Sequence, residues 1–146
     1  RLLLQVLDAV AFAHRQLVVH RDLKPSNILV DAAGHAFLLD FGIAKLMEDD
    51  DAGHTRTGER AFTPEYASPE QLHGEPVSTA TDLYQLGVLL YALLAQAHPY
   101  GLTGETPLRT RLTRMDGDPQ PLWDAALHSS AEVAAKRGLT VEAIFN

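Results

Sequence analysis

One long apolar segment restricts the folds open to this chain more than any of its other features. In the run LYQLGVLLYALLA (83–95), Gln85 is the only strongly polar side chain. A helix that is apolar on nearly every side belongs in the middle of a core rather than on its surface. Ser78 or Thr79 can cap the start of such a helix. We therefore expect a helix over about residues 80–95 as the buried centre of a mainly helical fold.

Composition and charge exclude several classes of protein. The 146 residues are 46% hydrophobic and 21% charged, as in a globular domain, and the net charge of −7 argues against nucleic acid as a partner. Cysteine is absent and the seven His have no ligand-like spacing, so we expect neither disulfides nor a zinc site. No apolar run reaches the roughly 18–20 residues that span a bilayer, so we expect no membrane segment and a cytoplasmic location.

Weaker patterns predict the remaining elements. Apolar residues recur at helical spacing over about residues 1–16, which predicts a helix there. The runs ILV and AFLL flank the turn sequence DAAGH, which predicts a small β-hairpin over residues 28–39. Further helices are expected within residues 104–115 and over residues 129–138.

A cluster of charged and amide side chains lies between the first helix and the hairpin, in HRDLKPSN (20–27). Asp22 can accept a proton from a hydroxyl, and Lys24 can neutralise a phosphate. Asn27 and Asp40 supply the hard oxygen ligands that suit Mg²⁺, and the hairpin returns Asp40 beside Asn27. A base, a cation and metal-holding oxygens are the groups that phosphoryl transfer requires.

Two further segments follow in order, DFG (40–42) and TPEYASPE (63–70). With them the chain resembles the C-terminal lobe of a eukaryotic-type protein kinase, and TDLYQLGVLLYALL (81–94) is similar to the bacterial serine/threonine members. The resemblance implies a mainly α lobe with a small hairpin, from a parent domain of α+β fold with two lobes. It also implies transfer of the γ-phosphoryl group of ATP to Ser or Thr hydroxyls of protein substrates.

The resemblance assigns roles to the residues of the polar cluster. Asp22 matches the catalytic base, and Lys24 matches the lysine that is typical of Ser/Thr-specific kinases. Asn27 and Asp40 match the metal ligands, so the cofactors implied are ATP and Mg²⁺.

Four other residues match supporting positions in the family. His20 matches the residue that ties the catalytic loop to the DFG segment, and Thr63 matches a threonine that touches that loop. Asp82 matches the aspartate that braces the loop backbone, although it could be only a charge at a helix N-terminus. Glu70 matches a glutamate that pairs with an arginine which we cannot assign in this sequence.

The resemblance also implies regulation. Arg21, beside the catalytic aspartate, matches an arginine that receives a phosphorylated loop residue, for which Thr55 and Thr57 are the candidates. Arg21 could equally be a surface charge, and the two threonines ordinary loop residues.

Parts of a complete kinase domain are missing from the sequence. No GxGxxG loop occurs, and no lysine precedes Lys24. The family carries a Gly-rich loop and a phosphate-binding lysine in an N-terminal lobe. We therefore expect residues 1–146 to be part of a kinase domain without its N-terminal lobe and final helices, and to be inactive alone. That N-terminal lobe is then an expected partner.

Two other functions are open. A non-catalytic kinase-like module would bind partners through the helical lobe, but such modules often lose the base or the metal aspartate, and both are present here. Small-molecule phosphotransferases of similar fold typically lack the SPE segment (68–70) and the lysine at position 24.

Overall fold

The computed structural model describes residues 1–41 and 63–127. The helix expected over residues 129–138 and the candidates Thr55 and Thr57 lie outside the described residues. Within them the fold is mainly helical with one two-stranded antiparallel sheet, as expected. The helices are α1 (Leu2–Arg15), α2 (Pro69–His73), α3 (Thr79–Ala95) and α4 (Leu108–Met115), and the strands are β1 (Ile28–Val30) and β2 (Ala36–Leu38).

The chain forms two compact units, Arg1–Leu89 and Leu90–Asn146. The core of the first unit brings together Val6 and Val10 of α1, Leu23 and Leu86. One face of the hairpin packs against this core through Ile28, Ala36 and Leu38. These three share a face because cross-strand partners such as Ile28 and Leu38 point the same way.

The other face of the hairpin is apolar and exposed. Leu29 pairs with Phe37, and the two side chains are 54% and 48% exposed. The turn is closed by Asp31, whose Oδ1 accepts the backbone N–H groups of Ala33 at 2.9 Å and His35 at 2.8 Å. This side-chain turn lets the short strands reverse direction within the length that the sequence predicted.

Helix α3 begins where the sequence predicted, because the Ser78 hydroxyl accepts the N–H of Ala80 at 3.2 Å. Leu86, Val88 and Leu89 of this helix are buried. The expectation of burial on nearly every side is wrong for one face, however. The exposed apolar residues of the helix are Leu83, Leu90, Leu93 and Leu94. An apolar sequence shows that the side chains of a helix can be buried. Which of them are buried depends on the elements that pack against the helix.

The second unit has a small apolar core and a buried cation. Tyr91 and Ala95 pack with Ala125 of a helical stretch over residues 122–127. Arg111 of α4 is 1% exposed and donates to the backbone carbonyls of Thr103, Gly104 and Thr106. The guanidinium thus organises the loop that precedes α4.

No helix among residues 1–41 and 63–127 is long and apolar enough to cross a membrane.

Helix α1 ends in a Schellman motif, in which Val18 N–H bonds to Ala13 C=O at 3.0 Å and Leu17 N–H bonds to His14 C=O at 3.0 Å. The motif needs a left-handed residue, and Leu17 occupies that position with a φ of 60° and a side chain that is 94% exposed. Glycine adopts this conformation without the steric cost that a Cβ imposes.

We therefore expect Leu17→Gly to stabilise the protein by about 1 kcal/mol in urea unfolding. Leu17→Ala is the control, because it removes the exposed apolar side chain but keeps the Cβ; it should change stability by less than about 0.5 kcal/mol. Equal stability of the two variants would contradict the role assigned to the backbone.

Neighbouring leucines of α3 test its two faces. Leu89 is 3% exposed and Leu90 is 39% exposed. Leu89→Ala should lower the free energy of unfolding by about 2–5 kcal/mol, because it leaves a cavity in the core. Leu90→Ala is the matched control and should cost less than about 1 kcal/mol. Similar losses at both positions would show that both faces are buried in solution.

Candidate active site

The Asp22 carboxylate lies at the centre of the polar cluster. Its Oδ2 is 2.9 Å from Lys24 Nζ and accepts a hydrogen bond from Asn27 Nδ2 at 3.2 Å. Asn27 Nδ2 also donates to the backbone carbonyl of Asp22 at 2.8 Å. Asp22 and Lys24 are only partly buried, whereas Asn27 is 7% exposed. The carboxylate is therefore held in one orientation while part of it faces solvent.

Lys24 links this loop to a distant part of the sequence. Its Nζ donates to Thr63 Oγ1 at 2.6 Å while it also contacts Asp22. The structure thus brings together Asp22, Lys24 and Thr63, which the resemblance had placed at one site. A cation held between a carboxylate and a hydroxyl is positioned to meet a phosphate that reaches the same site.

The hairpin ladder places Asp40 next to Asn27. Leu39 N–H donates to Asn27 C=O at 2.9 Å, which extends the pairing of β1 and β2 by one step. Asp40 follows Leu39 directly and is exposed, with a φ of 52°. The left-handed backbone turns the chain sharply out of the strand at this residue.

The oxygen atoms at this position fit Mg²⁺. Within residues 1–41 and 63–127 no three His, Cys, Asp or Glu side chains form a metal-holding group. Asn27 offers an amide oxygen, and Asp40, which follows the residue paired with Asn27, offers an exposed carboxylate. Mg²⁺ commonly binds through one or two protein carboxylates and completes its shell with water and substrate phosphates, so a sparse set of this kind suits it.

Asp82 accepts hydrogen bonds from the backbone of the segment that leads to Asp22. It has no exposed surface, and its carboxylate accepts the N–H groups of His20 and Arg21, each at 2.8 Å. A third hydrogen bond comes from His14 Nε2 at 2.7 Å. Asp82 therefore does more than add a charge to the start of α3, since all three bonds go to other parts of the chain.

His20 connects the same segment to the residues around Asp40. Its Nε2 lies 3.0 Å from the Leu39 carbonyl, and its ring lies 4.7 Å from that of Phe41. A carbonyl only accepts, so Nε2 carries the proton, and Nδ1 accepts the N–H of Asp22 at 3.4 Å. Burial lowers the pKa of His20 against the opposing effects of the Leu39 carbonyl and nearby carboxylates, and so favours this neutral form.

Glu70 has a hydroxyl as its partner among the described residues. Thr81 Oγ1 donates to Glu70 Oε1 at 2.5 Å. Burial by itself raises the pKa of Glu70, but hydrogen bonds from Thr81, its own backbone and Ser68 outweigh burial and lower that pKa. In the family this glutamate pairs with an arginine. Arg137 has the right residue type for that pairing, but it lies outside the described residues.

Arg21 lies at the edge of an open cavity of about 430 Å³, which is also lined by residues 74–77. Its backbone has a φ of 69°, a conformation that costs a non-glycine residue free energy. The pairing of Arg21 with Thr55 or Thr57 stays a prediction, because both threonines lie outside the described residues.

Three residues of the site were missed by sequence reasoning. His14 bonds to Asp82, and the amide groups of Gln71 and Gln85 bond to the backbone on either side of Asp22. For Gln85 a signal existed, because a lone amide in an apolar helix needs a partner. His14 and Gln71 carry no such signal, since their partners are 68 and 50 positions away in the sequence.

The pKa of His20 predicts how stability depends on pH. A histidine whose pKa is lowered by folding binds protons more readily in the unfolded state, so stability falls as the pH drops through about 6.5. We expect His20→Asn to flatten this dependence between pH 7.5 and 5, measured by urea unfolding. His73→Asn, at an exposed histidine, should keep the wild-type slope. A wild-type slope in His20→Asn would show that His20 is not held neutral.

Comparison with known proteins agrees with this geometry. The family model of the protein kinase domain matches residues 1–132. The serine/threonine-protein kinase PkaA of Streptomyces coelicolor is 41% identical over 129 residues, which cover 82% of this chain and 23% of that protein. The serine/threonine-protein kinase PknB of Mycobacterium tuberculosis is 36% identical over 114 residues, which cover 78% of this chain and 18% of PknB. The chain thus spans about a fifth of the length of these curated relatives, and it belongs to the protein kinase domain family.

Proposed function

We propose that this chain carries the catalytic residues of a serine/threonine protein kinase, which transfers the γ-phosphoryl group of ATP to Ser or Thr hydroxyls of proteins. The observation that carries the proposal is the arrangement of Asp22, whose carboxylate contacts Lys24 and Asn27 while Lys24 also contacts Thr63. The relatives PkaA and PknB bear the name serine/threonine-protein kinase, which supports the same reaction.

Asp22 is proposed to orient the substrate hydroxyl and accept its proton. Its carboxylate is fixed by two neighbours yet partly exposed, so a hydroxyl can approach it. General-base catalysis needs an acceptor within hydrogen-bond reach of the proton, and a fixed acceptor loses little entropy when the substrate arrives.

Lys24 is proposed to stabilise the charge of the transferred group. Phosphoryl transfer has a loose transition state, so catalysis depends mainly on position and on charge stabilisation. Lys24 Nζ is within hydrogen-bond distance of both Asp22 and Thr63. It therefore sits beside the proposed base, where the phosphoryl group and the hydroxyl would meet.

ATP and Mg²⁺ are the cofactors that the site fits. Asn27 and Asp40 would hold Mg²⁺, which when bound neutralises phosphate charge. Asn27 keeps its amide nitrogen on Asp22, so its amide oxygen is the atom that can serve as a metal ligand. The site is proposed to lie in the cytoplasm, because that is where ATP is supplied as the donor.

The described residues are proposed to form the C-terminal lobe of the domain. The exposed apolar pair Leu29 and Phe37 supports an N-terminal lobe of the same domain as the partner that covers this face of the hairpin. Without a phosphate-cradling loop, residues 1–146 alone are proposed to bind Mg-ATP weakly and to lack activity.

Regulation is proposed to act through Arg21. Phosphate on Thr55 or Thr57 would add charge and acceptor oxygens that a guanidinium binds in a bidentate manner. The open cavity beside Arg21 supports this proposal, because it leaves room for a ligand of phosphate size at that edge.

Substitution of the two aspartates in the full-length protein tests the proposed function. Asp22→Asn should lower kcat for a Ser/Thr peptide by about 10²- to 10⁴-fold with little change in Mg-ATP binding, because it removes the proton acceptor. Asp40→Asn should abolish transfer and also weaken Mg-ATP binding, because it removes a metal ligand.

Asp8→Asn is the matched control, since Asp8 is an exposed aspartate of α1 with no role in the proposed site. It should have wild-type kinetics. Near-normal turnover of either Asp22→Asn or Asp40→Asn, measured with radiolabelled ATP, would contradict the roles assigned to them.

A further inference from the structure

Gln85 is buried beside the catalytic segment and uses all of its hydrogen-bonding groups there. The residue is 1% exposed. Its Oε1 accepts the N–H of Leu23 at 2.8 Å, and its Nε2 donates to the carbonyl of Arg21 at 3.2 Å and to Gln71 Oε1 at 2.9 Å. A buried amide in an apolar helix is costly unless it is satisfied in this way.

These contacts fall on both sides of the proposed base. The Arg21 carbonyl belongs to the peptide group that precedes Asp22, and the Leu23 N–H belongs to the one that follows it. The φ and ψ angles of Asp22 set the relative orientation of these two peptide groups. A single side chain that bonds to both of them therefore restricts the backbone of Asp22 itself.

Hydrogen bonds of Gln71 fix the orientation of both amide groups. Its Nε2 donates to the Arg21 carbonyl at 2.7 Å, so that oxygen accepts from both glutamines. Its Oε1 accepts the N–H of Ser68 at 3.0 Å, which closes the capping box of α2. With these donors and acceptors assigned, neither amide can flip without losing several bonds.

We propose that Gln85 is a positioning residue for the transfer reaction and that Gln71 is its partner. Together they hold the two peptide groups that flank Asp22, so that its carboxylate meets the substrate hydroxyl, while Lys24 and Asn27 bind the carboxylate itself. The proposal rests on the proposed function. A displacement of about 1 Å at a reacting group can cost about 100-fold in rate, so loss of this bracing should appear in kcat.

The test uses the full-length protein with Gln85→Met, Gln71→Met and the double variant. Methionine keeps the length of the side chain but forms no comparable hydrogen bonds. We expect kcat for a Ser/Thr peptide to fall about 10- to 100-fold in Gln85→Met, with KM for Mg-ATP within about threefold of wild type. The double variant should lose little beyond the worse single variant, because the two residues act as a unit. Gln16→Met, at an exposed glutamine after α1, is the control and should keep wild-type kinetics.

A second measurement separates positioning from loss of fold. Hydrogen exchange of the amides of residues 20–24, followed by mass spectrometry, should speed up in Gln85→Met at a temperature where circular dichroism shows the variant folded.

An active wild type with normal kcat in Gln85→Met would overturn the proposal and leave the proposed function standing. A fall in kcat that only matches the unfolded fraction would also overturn it, as would unchanged exchange. An inactive wild type would instead count against the proposed function, and the exchange result would still decide whether Gln85 holds this backbone.

Discussion

The carboxylate of Asp82 is the group around which the first unit is organised. It is fully buried and accepts hydrogen bonds from two consecutive backbone N–H groups, those of His20 and Arg21, and from the ring of His14. A buried charge that loses its partners costs several kcal/mol, and hydrogen bonds to charged groups are about twice as strong as neutral ones. The charge therefore favours one arrangement of α1, α3 and the segment between them. The left-handed backbone of Arg21 is tolerated because its N–H is held in this way.

Helix α3 supports the site and the core at once. Gln85 lies three residues after Asp82, so the two side chains lie on the same side of the helix and meet the same segment. Leu86 contributes to the apolar core with α1 and Leu23. The segment around Asp22 is therefore attached to α3 through polar groups, in addition to the local bonds with His20 and Asn27. A carboxylate with the role proposed for Asp22 needs this kind of support, because its side chain alone has several rotamers.

The hairpin also supports the site, through Asn27 and Leu39. Asn27 ends the short 3₁₀ turn that leads into β1, and its amide reaches back to the carboxylate and carbonyl of Asp22. The bond from Leu39 to the Asn27 carbonyl then brings Asp40 to the same place. The ladder thus positions Asn27 and Asp40, both with proposed chemical roles, and a register shift by one residue would move Asp40 to the other face.

The sequence by itself determined the local elements and the chemistry available to them. Helical spacing of apolar residues predicted α1, a continuous apolar run predicted α3, and the turn sequence DAAGH between two apolar runs predicted the hairpin. The order of polar residues indicated phosphoryl transfer. All of these signals depend on near neighbours in the chain. Only the tertiary structure decided which face of α3 is covered, that Glu70 bonds to Thr81, and that Gln71 and Gln85 meet at Arg21. These pairings join residues far apart in sequence, and a side chain's hydrogen-bonding capacity does not specify its partner. The folded core supplies that partner, because its packing brings elements that are far apart in the sequence within bonding distance.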